Sequence, residues 1–299
     1  MNDSTLLNDS TLLKDSTWTA RPPRDVVVAA GPDALSFLQS LVSADLDGLG
    51  DGQSVRSLLL TPQGKLEADF HLARVGDAAW LVGEGGHGSQ LVAALERFKI
   101  RVKVEVDLRP DLAVLAVRAP EPPARARADD VVVVPVPWPD GDRFDVVGPT
   151  AALDEAEAEL AGAGVTAIDA DVYEALRVEA GIPRMGFELD EKTIPQEAFL
   201  DRDAVSFSKG CFLGQELVCR IDTRGHVNKY LRRLTNVAGG VPRGAEVVVG
   251  DKVVGAVTSA AGGMGLGYVR REIEPPADVM LRWDGGEATA TVTSLPLIG

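Results

Sequence analysis

The strongest chemical signal in the sequence is Cys211, which lies between two glycines in the segment 208–220, SKGCFLGQELVCR. Apolar residues recur at helical spacing after Gly214, so the pattern predicts a loop that runs into a short helix. A thiol just before a helix N-terminus and beside the cation Lys209 has two influences that favour its thiolate. Cys211 is therefore a candidate nucleophile, redox-active thiol or soft metal ligand. The alternative is a small buried hydrophobic residue, since free cysteine is among the most buried residue types.

A second cysteine and a run of basic residues accompany this segment. Cys219 lies within the predicted helix and is interpreted as a core residue. Residues 200–233 contain seven Lys or Arg and four Asp or Glu, a local charge of +3 in a chain whose net charge is −15. Basic runs are commonly no more than a solvated face, so this one alone indicates no ligand.

A glycine-rich segment, GEGGHG at residues 83–88, fits the GxGxxG pattern of dinucleotide-binding loops. It follows a predicted strand and precedes a predicted helix, and Glu105 stands roughly 20 residues further on, where that pattern places an acid. The preceding strand, however, is expected to be the second arm of a hairpin, whereas a dinucleotide fold needs the first strand of a parallel βαβ unit. A flexible loop is the favoured interpretation, and a nicotinamide-dependent oxidoreductase stays as an alternative.

The composition excludes several classes of protein. The chain has 299 residues, 45% hydrophobic and 25% charged, as is typical of globular proteins. The chain has 45 acidic and 30 basic residues, and this negative net charge opposes binding to nucleic acid or to an anionic membrane. No apolar run approaches the roughly 18 residues of a membrane span. Two cysteines and three dispersed histidines favour neither a disulfide framework nor a metal centre within the chain.

The N-terminus repeats the hexapeptide NDSTLL at residues 2–7 and 8–13. It lacks the basic start and the long apolar stretch of a secretory signal. We therefore expect residues 1–19 to be a disordered tail, and the protein to be cytoplasmic with both cysteines as thiols.

Hydrophobic periodicity and turn residues divide the remaining chain into an α+β body and a terminal barrel. Residues 20–109 are expected to form a first α+β unit, residues 110–168 a second, and residues 169–230 a returning segment that carries Cys211. Short strands alternate with Gly and Pro turns in residues 231–299, the pattern of a small antiparallel barrel. The expected helices start near residue 33, span 89–100, 151–161 and 169–180, and start again near residue 214.

Several motifs together resemble one family, the YgfZ-type folate-binding proteins, which are related to the glycine-cleavage aminomethyltransferase (T-protein). The most specific is KGCFLGQE at residues 209–216. Weaker motifs occur in the order that the family shows: GPDALSFLQ (31–39), LLTPQGK (59–65), LRVEAGIPR (176–184), PQE (195–197) and GAVTS (255–259). The resemblance covers about residues 24–275.

The resemblance implies the GcvT-like fold: two α+β units in a ring around a central opening, followed by a C-terminal antiparallel β-barrel. It implies that the opening holds tetrahydrofolate or a one-carbon derivative. It also implies a role in assembling, repairing or maintaining iron–sulfur clusters in client enzymes, including tRNA-modifying ones, so that client and assembly proteins are expected partners.

Within that family pattern, Cys211 is the expected functional thiol and Lys209 its basic neighbour. Asp69 is expected to face the pterin or its one-carbon position. Arg177 is expected to line the opening, with an ion pair to Glu174 as the alternative. The full set of expected folate-binding residues is Asp69, Arg177, Lys209, Gln215, Glu216, Arg220 and Arg224.

Two departures weaken the alternative function of an aminomethyltransferase. Those enzymes carry two adjacent acids in the hairpin where this chain has Ala68 and Asp69. Where they have a run RTGYTGE, residues 138–142 here are WPDGD. Glycine-cleavage activity is therefore not expected.

Overall fold

The computed structural model describes residues 16–124, 130–136, 138–139, 143–237 and 239–296. These residues form two five-stranded sheets and one closed six-stranded barrel. This confirms the predicted α+β body with a C-terminal antiparallel barrel. Within the described ranges, no helix is both long enough and apolar enough to span a membrane. Residues 1–15 of the expected tail and residues 140–142 of the WPDGD segment lie outside the described ranges.

The first sheet has the strand order β3-β4-β5-β2-β6, and all its neighbouring strands are antiparallel. Helix α1 covers one face, because its buried residues recur at the spacing of a single helix face: Ala34, Phe37, Leu38 and Leu41. A second helix, α2, packs into the same core. The elements are β2 (Arg24–Ala30), α1 (Ala34–Leu41), β3 (Ser54–Leu60), β4 (Leu66–Val75), β5 (Ala78–Glu84), α2 (Gly88–Glu96) and β6 (Glu105–Leu108).

The second sheet has the strand order β10-β1-β7-β9-β8, and one helix, α3, packs on it. Its elements are β1 (Trp18–Ala20), β7 (Leu112–Arg118), β8 (Val132–Val136), β9 (Arg143–Pro149), α3 (Thr150–Gly162) and β10 (Thr166–Ala167). The expectation that the tail reaches residue 19 is wrong. Trp18 and Thr19 are each only 1% exposed, because β1 pairs with β7 on one side and β10 on the other.

The two sheets pack against each other through valines that alternate with residues facing the helices. Val26 and Val82 of the first sheet meet Val134 and Val147 of the second. This contact brings the faces of β4 and β9 together, and both strands become polar toward one end of it.

The returning segment contains α4 (Ala170–Ala180), a 3-10 turn (Pro195–Ala198) and α5 (Gln215–Arg224). Helix α4 begins as predicted, since the Asp169 carboxylate accepts a hydrogen bond from the backbone N–H of Val172, and it ends at Gly181 in the left-handed conformation. The barrel strands are β11 (Lys229–Thr235), β12 (Glu246–Val249), β13 (Lys252–Ala261), β14 (Met264–Arg270), β15 (Ala277–Trp283) and β16 (Gly286–Thr293).

Helix α2 is shorter than predicted. The apolar spacing suggests a helix to residue 100, but α2 ends at Glu96 and the chain continues in tight turns. Arg101 has φ 56°, a left-handed conformation that no helix can continue through, and Ile100 is 73% exposed. Ile100 therefore extends the sequence pattern without extending the buried face.

Candidate functional site

Cys211 is exposed, at the end of a loop that is fixed on both sides. On the N-terminal side, the Lys209 ammonium donates to the backbone carbonyls of Gln39 (2.8 Å), Val42 (2.8 Å) and Ala44 (2.7 Å). These carbonyls lie at the C-terminal end of α1, where helix carbonyls lack partners and attract cations. Burial lowers the pKa of Lys209 to about 8. Lys209 thus acts on the thiol by holding the loop, since its donors are taken up by α1.

On the C-terminal side, the loop is anchored by Phe212, Gly214 and Gln215. The Phe212 ring is buried, and its backbone N–H donates to Oε1 of Gln215 at 2.7 Å. Gly214 has φ 77°, and a Cβ there would lie 2.4 Å from the carbonyl oxygen of Thr61. Only glycine fits this contact between the loop and the turn after β3.

The helix after the loop begins at Gln215, as predicted from the apolar spacing. Its only buried residue is Val218. Cys219 is half-buried, so its interpretation as a core residue is wrong, and the alternative of a buried Cys211 is wrong as well. The helix is amphipathic but lies near the surface, which leaves both thiols partly or fully accessible.

A central cleft lies beside the contact between the two sheets. It forms where apolar side chains give way to polar ones along two strands. Along one face of β4, Ala73 is followed by His71 and Asp69, and along β9, Val147 is followed by Asp145 and Arg143. The cleft is closed by α4 and by residues 182–185.

On the first sheet, Arg56 organises the wall of the cleft. Its guanidinium binds both oxygens of Asp69, at 3.0 and 2.8 Å, and Oδ2 of Asp203 at 2.9 Å. Burial alone would lower the pKa of Arg56, but the charges of Asp69 and Asp203 outweigh it and raise the pKa. Asp69 therefore lines the cleft as expected and is held rigidly there.

On the second sheet, Arg143 is enclosed by aromatic rings. Its guanidinium carbon lies 4.6 Å from the centroid of the Trp138 ring, and Nη1 donates to the hydroxyl of Tyr173 at 2.6 Å. Nη2 binds Asp145 at 3.0 Å. An aromatic-flanked, buried guanidinium offers a flat polar wall opposite Asp69.

Three buried nitrogen atoms in this cleft have no hydrogen-bond partner among the described residues: His71 Nε2, Arg143 Nε and Arg184 Nε. Burial, followed by the positive charge of Arg56, lowers the pKa of His71 to about 4, so the imidazole is neutral at pH 7. Buried polar atoms are normally paired, because an unpaired one costs about 1–3 kcal/mol. A polar ligand in the cleft would supply the missing partners.

Arg177 lies at the cleft and also forms the ion pair that was the alternative to a role there. Its side chain lines the cleft, and it also pairs with Glu174 at 2.9 and 2.7 Å. It reaches further, to Glu188 Oε2 at 3.0 Å and to the hydroxyl of Ser259 in β13 at 2.9 Å. Arg177 thus joins α4, the following loop and the barrel.

The other residues expected to bind folate do not line the cleft: Lys209, Gln215, Glu216, Arg220 and Arg224. Lys209 and Gln215 fix the loop, and the remaining three are exposed on α5. The positive charge of the cleft comes instead from arginines that sequence reasoning missed: Arg24, Arg56, Arg143 and Arg184. Charged residues at alternate positions of an apolar strand, as at Arg143 and Asp145 of β9, are the signal that could have found part of this set.

The glycine loop at 83–88 does not have the geometry of a dinucleotide site. Strand β5 is antiparallel to both of its neighbours, so no parallel βαβ unit begins there. The Asp25 carboxylate accepts from the backbone N–H groups of Gly86 (3.0 Å) and Gly88 (2.7 Å). A carboxylate of the chain itself therefore occupies the helix N-terminus where a pyrophosphate would bind.

Comparisons with known proteins agree with this architecture. Residues 231–294 match the family "CAF17, C-terminal beta-barrel domain". The aminomethyltransferase T of the glycine cleavage system from Bartonella henselae has a similar structure, with a TM-score of 0.81 over 97% of this chain and 89% of that chain at 22% sequence identity. At that identity the likeness shows a shared fold.

Two curated relatives narrow the class. The "tRNA-modifying protein YgfZ" of Klebsiella pneumoniae (strain 342) is 29% identical over 234 residues, which cover 73% of this chain and 71% of that protein. The mitochondrial "Iron-sulfur cluster assembly factor IBA57 homolog" of Mycosarcoma maydis is 29% identical over 245 residues, 76% of this chain and 59% of that protein.

The fold is that of the glycine-cleavage aminomethyltransferase T, and the barrel matches that of the CAF17 family. The two relatives support the resemblance to YgfZ-type proteins that the motif around Cys211 predicted.

Proposed function

We propose that this chain binds tetrahydrofolate, or a one-carbon derivative of it, and assists the assembly, repair or maintenance of iron–sulfur clusters in client enzymes, including tRNA-modifying ones. The names of its relatives, a tRNA-modifying protein and an iron–sulfur cluster assembly factor, support this class of function. Client or assembly proteins are the proposed partners.

The observation that carries the proposal is the presentation of Cys211. Lys209 and Phe212 tie the loop down on either side, while the thiol between them is exposed. A free cysteine is ordinarily buried, so an exposed one on a rigid support favours chemistry over packing. The thiolate is a soft ligand for iron and can also exchange with a disulfide, whereas a hydroxyl does neither well.

The central cleft is the proposed folate site. Asp69, Arg177 and Arg143 would face the ligand, and the unpaired nitrogen of His71 would gain a partner. The polar heteroaromatic ring of a pterin suits a cleft with aromatic walls and several fixed donors and acceptors. The folate would supply one-carbon or redox chemistry, while these residues bind and orient it.

One-carbon transfer of the glycine-cleavage type is not favoured by the cleft. Ala68, in place of the first of two adjacent acids, is 8% exposed and packs into the core on the opposite face of β4 from Asp69. That position supplies no carboxylate beside the reacting nitrogen, where such chemistry needs charge stabilisation or proton transfer.

Replacement of Cys211 by Ser tests the proposal. We expect the unfolding free energy to change by less than about 0.5 kcal/mol, because the side chain is exposed. Activity of iron–sulfur enzymes in cells that lack this protein should nevertheless fail to recover when the variant is expressed.

Cys219→Ser is the matched control, since it removes the other thiol, which lies half-buried in α5. It should restore client activity as the unchanged chain does. Full recovery with Cys211→Ser would refute the role of the thiol. Calorimetry with tetrahydrofolate tests the ligand separately, and no heat of binding at hundreds of micromolar would exclude the folate site.

A further inference from the structure

A group of aromatic and basic side chains, here called the mouth cluster, lies where the 3-10 turn meets the barrel. It consists of Phe199, Arg202, Tyr230 and Arg232. The rings of Phe199 and Tyr230 stack at 5.3 Å with an angle of 14° between their planes. The guanidinium carbon of Arg202 lies 5.1 Å from the centroid of the Phe199 ring, and that of Arg232 lies 4.9 Å from the centroid of the Tyr230 ring.

The backbone holds Phe199 in an unusual conformation to make this cluster. Its φ is 60°, in the left-handed region that a bulky residue rarely adopts. Such strain persists where surrounding structure imposes it, and it is concentrated at functional positions.

Both guanidiniums of the mouth cluster are unpaired. Across the described ranges of the chain, neither Arg202 nor Arg232 has a carboxylate within ion-pair distance or a side-chain hydrogen bond. Arg56, Arg143 and Arg177 in the neighbouring cleft are all paired. In a chain of net charge −15, these two guanidiniums, which both lie over the ring of Phe199, are available for an external anion.

The mouth cluster adjoins the central cleft. Phe199 and Arg202 line a recess, and this recess shares Arg56, Ile182, Pro183 and Asp203 with the cleft. A ligand in the cleft could therefore extend into the recess past the Arg56–Asp203 pair.

A second recess flanks the cleft at Pro22 and Pro23. Its charged residues balance: four acids (Glu84, Glu157, Asp171, Glu174) face four arginines (Arg21, Arg24, Arg177, Arg184). Each of these arginines already binds a carboxylate. The recess at Phe199 therefore has unpaired cations near it that can bind an anion, whereas the cations of the recess at Pro22 are already paired. An anionic group of a ligand is expected on the Phe199 side of the cleft.

We infer that the mouth cluster is a binding site for the carboxylates of a ligand's anionic chain, which leaves the central cleft on the Phe199 side rather than on the Pro22 side. This rests on the proposed folate site, because the chain in question is the glutamate tail of a folate. Arg202 and Arg232 hold this tail, whereas Lys209, Arg220 and Arg224, which the family resemblance assigned to folate binding, do not line the cleft.

Calorimetry with tetrahydrofolates that carry one or three γ-linked glutamates tests the inference. We expect the triglutamate to bind the unchanged protein about threefold to tenfold more tightly, since each exposed carboxylate–guanidinium pair contributes modestly. The double variant Arg202→Gln, Arg232→Gln should bind both compounds with similar affinity. Arg21→Gln, which removes an arginine from the other recess, should keep the full difference.

Three outcomes would overturn the inference. These are equal affinities for both compounds in the unchanged protein, a difference that survives in the double variant, and a difference that disappears in Arg21→Gln. The first two leave the folate site itself intact, because the monoglutamate still binds. Absence of binding by either compound would instead refute the proposed folate function. Thermal melting of each variant verifies that it is folded.

Discussion

The residues of the KGCFLGQE motif divide into those that build a loop and one that the loop presents. Lys209, Phe212, Gly214 and Gln215 each satisfy a named backbone group or fill a defined space. Cys211 does neither, and it is exposed. Cys211 makes no contact that the fold requires, and it is held in place by neighbours that do make such contacts. It is therefore the candidate for chemistry in this motif.

The neutral state of His71 makes a prediction about acid stability. Its pKa in the folded protein is about 4, whereas a histidine in an unfolded chain titrates near 6.5. Between these values the unfolded chain binds more protons, so the free energy of unfolding must fall as the pH falls. His71→Gln removes this contribution, and the unchanged protein should therefore lose about 2 kcal/mol more than the variant between pH 7 and pH 5.

Denaturant titrations of both proteins at several pH values measure this difference. His226→Gln is the control, because it makes the same replacement at an exposed histidine outside the cleft. Parallel curves for the unchanged protein and His71→Gln would show that His71 is not kept neutral by the fold. Ligand binding in the cleft should also weaken in His71→Gln if Nε2 is one of its contacts.

At the scale of the elements, most helices and strands could be predicted from the sequence and the contacts between them could not. Helix α4 was predictable because Asp169 and Gly181 are local signals at its two ends. Strand β1 was missed because its three residues form a strand only by pairing with β7 near residue 117 and with β10 near residue 166. No local pattern in the sequence indicates that pairing. The Arg56–Asp203 pair joins residues 147 positions apart, and no local pattern reports such a contact.

The two glycines of the Cys211 loop differ in their surroundings, so we expect their replacement to have different costs. Gly214→Ala should cost at least about 2 kcal/mol, because its φ is 77° and the new Cβ would lie 2.4 Å from the Thr61 oxygen. Gly210→Ala should cost less than about 0.5 kcal/mol, since no atom lies within 4 Å of a Cβ there and its φ is not positive.

Denaturant unfolding of these two variants compares positions only four residues apart in one motif. Similar costs would contradict the geometry of the loop. Cys211 should also react faster with an alkylating reagent in Gly214→Ala, because the contact with the turn after β3 is lost. Gly210→Ala should react at the rate of the unchanged protein.

At the scale of the whole molecule, the three parts of the chain meet in one buried ionic network. Arg177 of α4 binds Glu174 and Glu188, and Glu188 also accepts a hydrogen bond from Ser259 of the barrel at 2.6 Å. Arg184 continues the network to Glu174 and to Glu84 of the first sheet. These charges link the first sheet, α4 and the barrel around the cleft, beside an apolar cluster that joins the same parts.

Removal of Arg177 should therefore destabilise the protein strongly. Its side chain is 2% exposed and that of Glu188 is 0% exposed, so Arg177→Met leaves a buried carboxylate without its cation. We expect a loss of about 3–5 kcal/mol in denaturant unfolding. Addition of Glu188→Gln to that variant should recover part of the loss, because the uncompensated charge is then gone. Arg21→Met, which breaks a more exposed pair with Glu157, should cost less than about 1 kcal/mol. A cost for Arg177→Met as small as that of Arg21→Met, or no recovery in the double variant, would mean that packing rather than this network joins the barrel to the sheets.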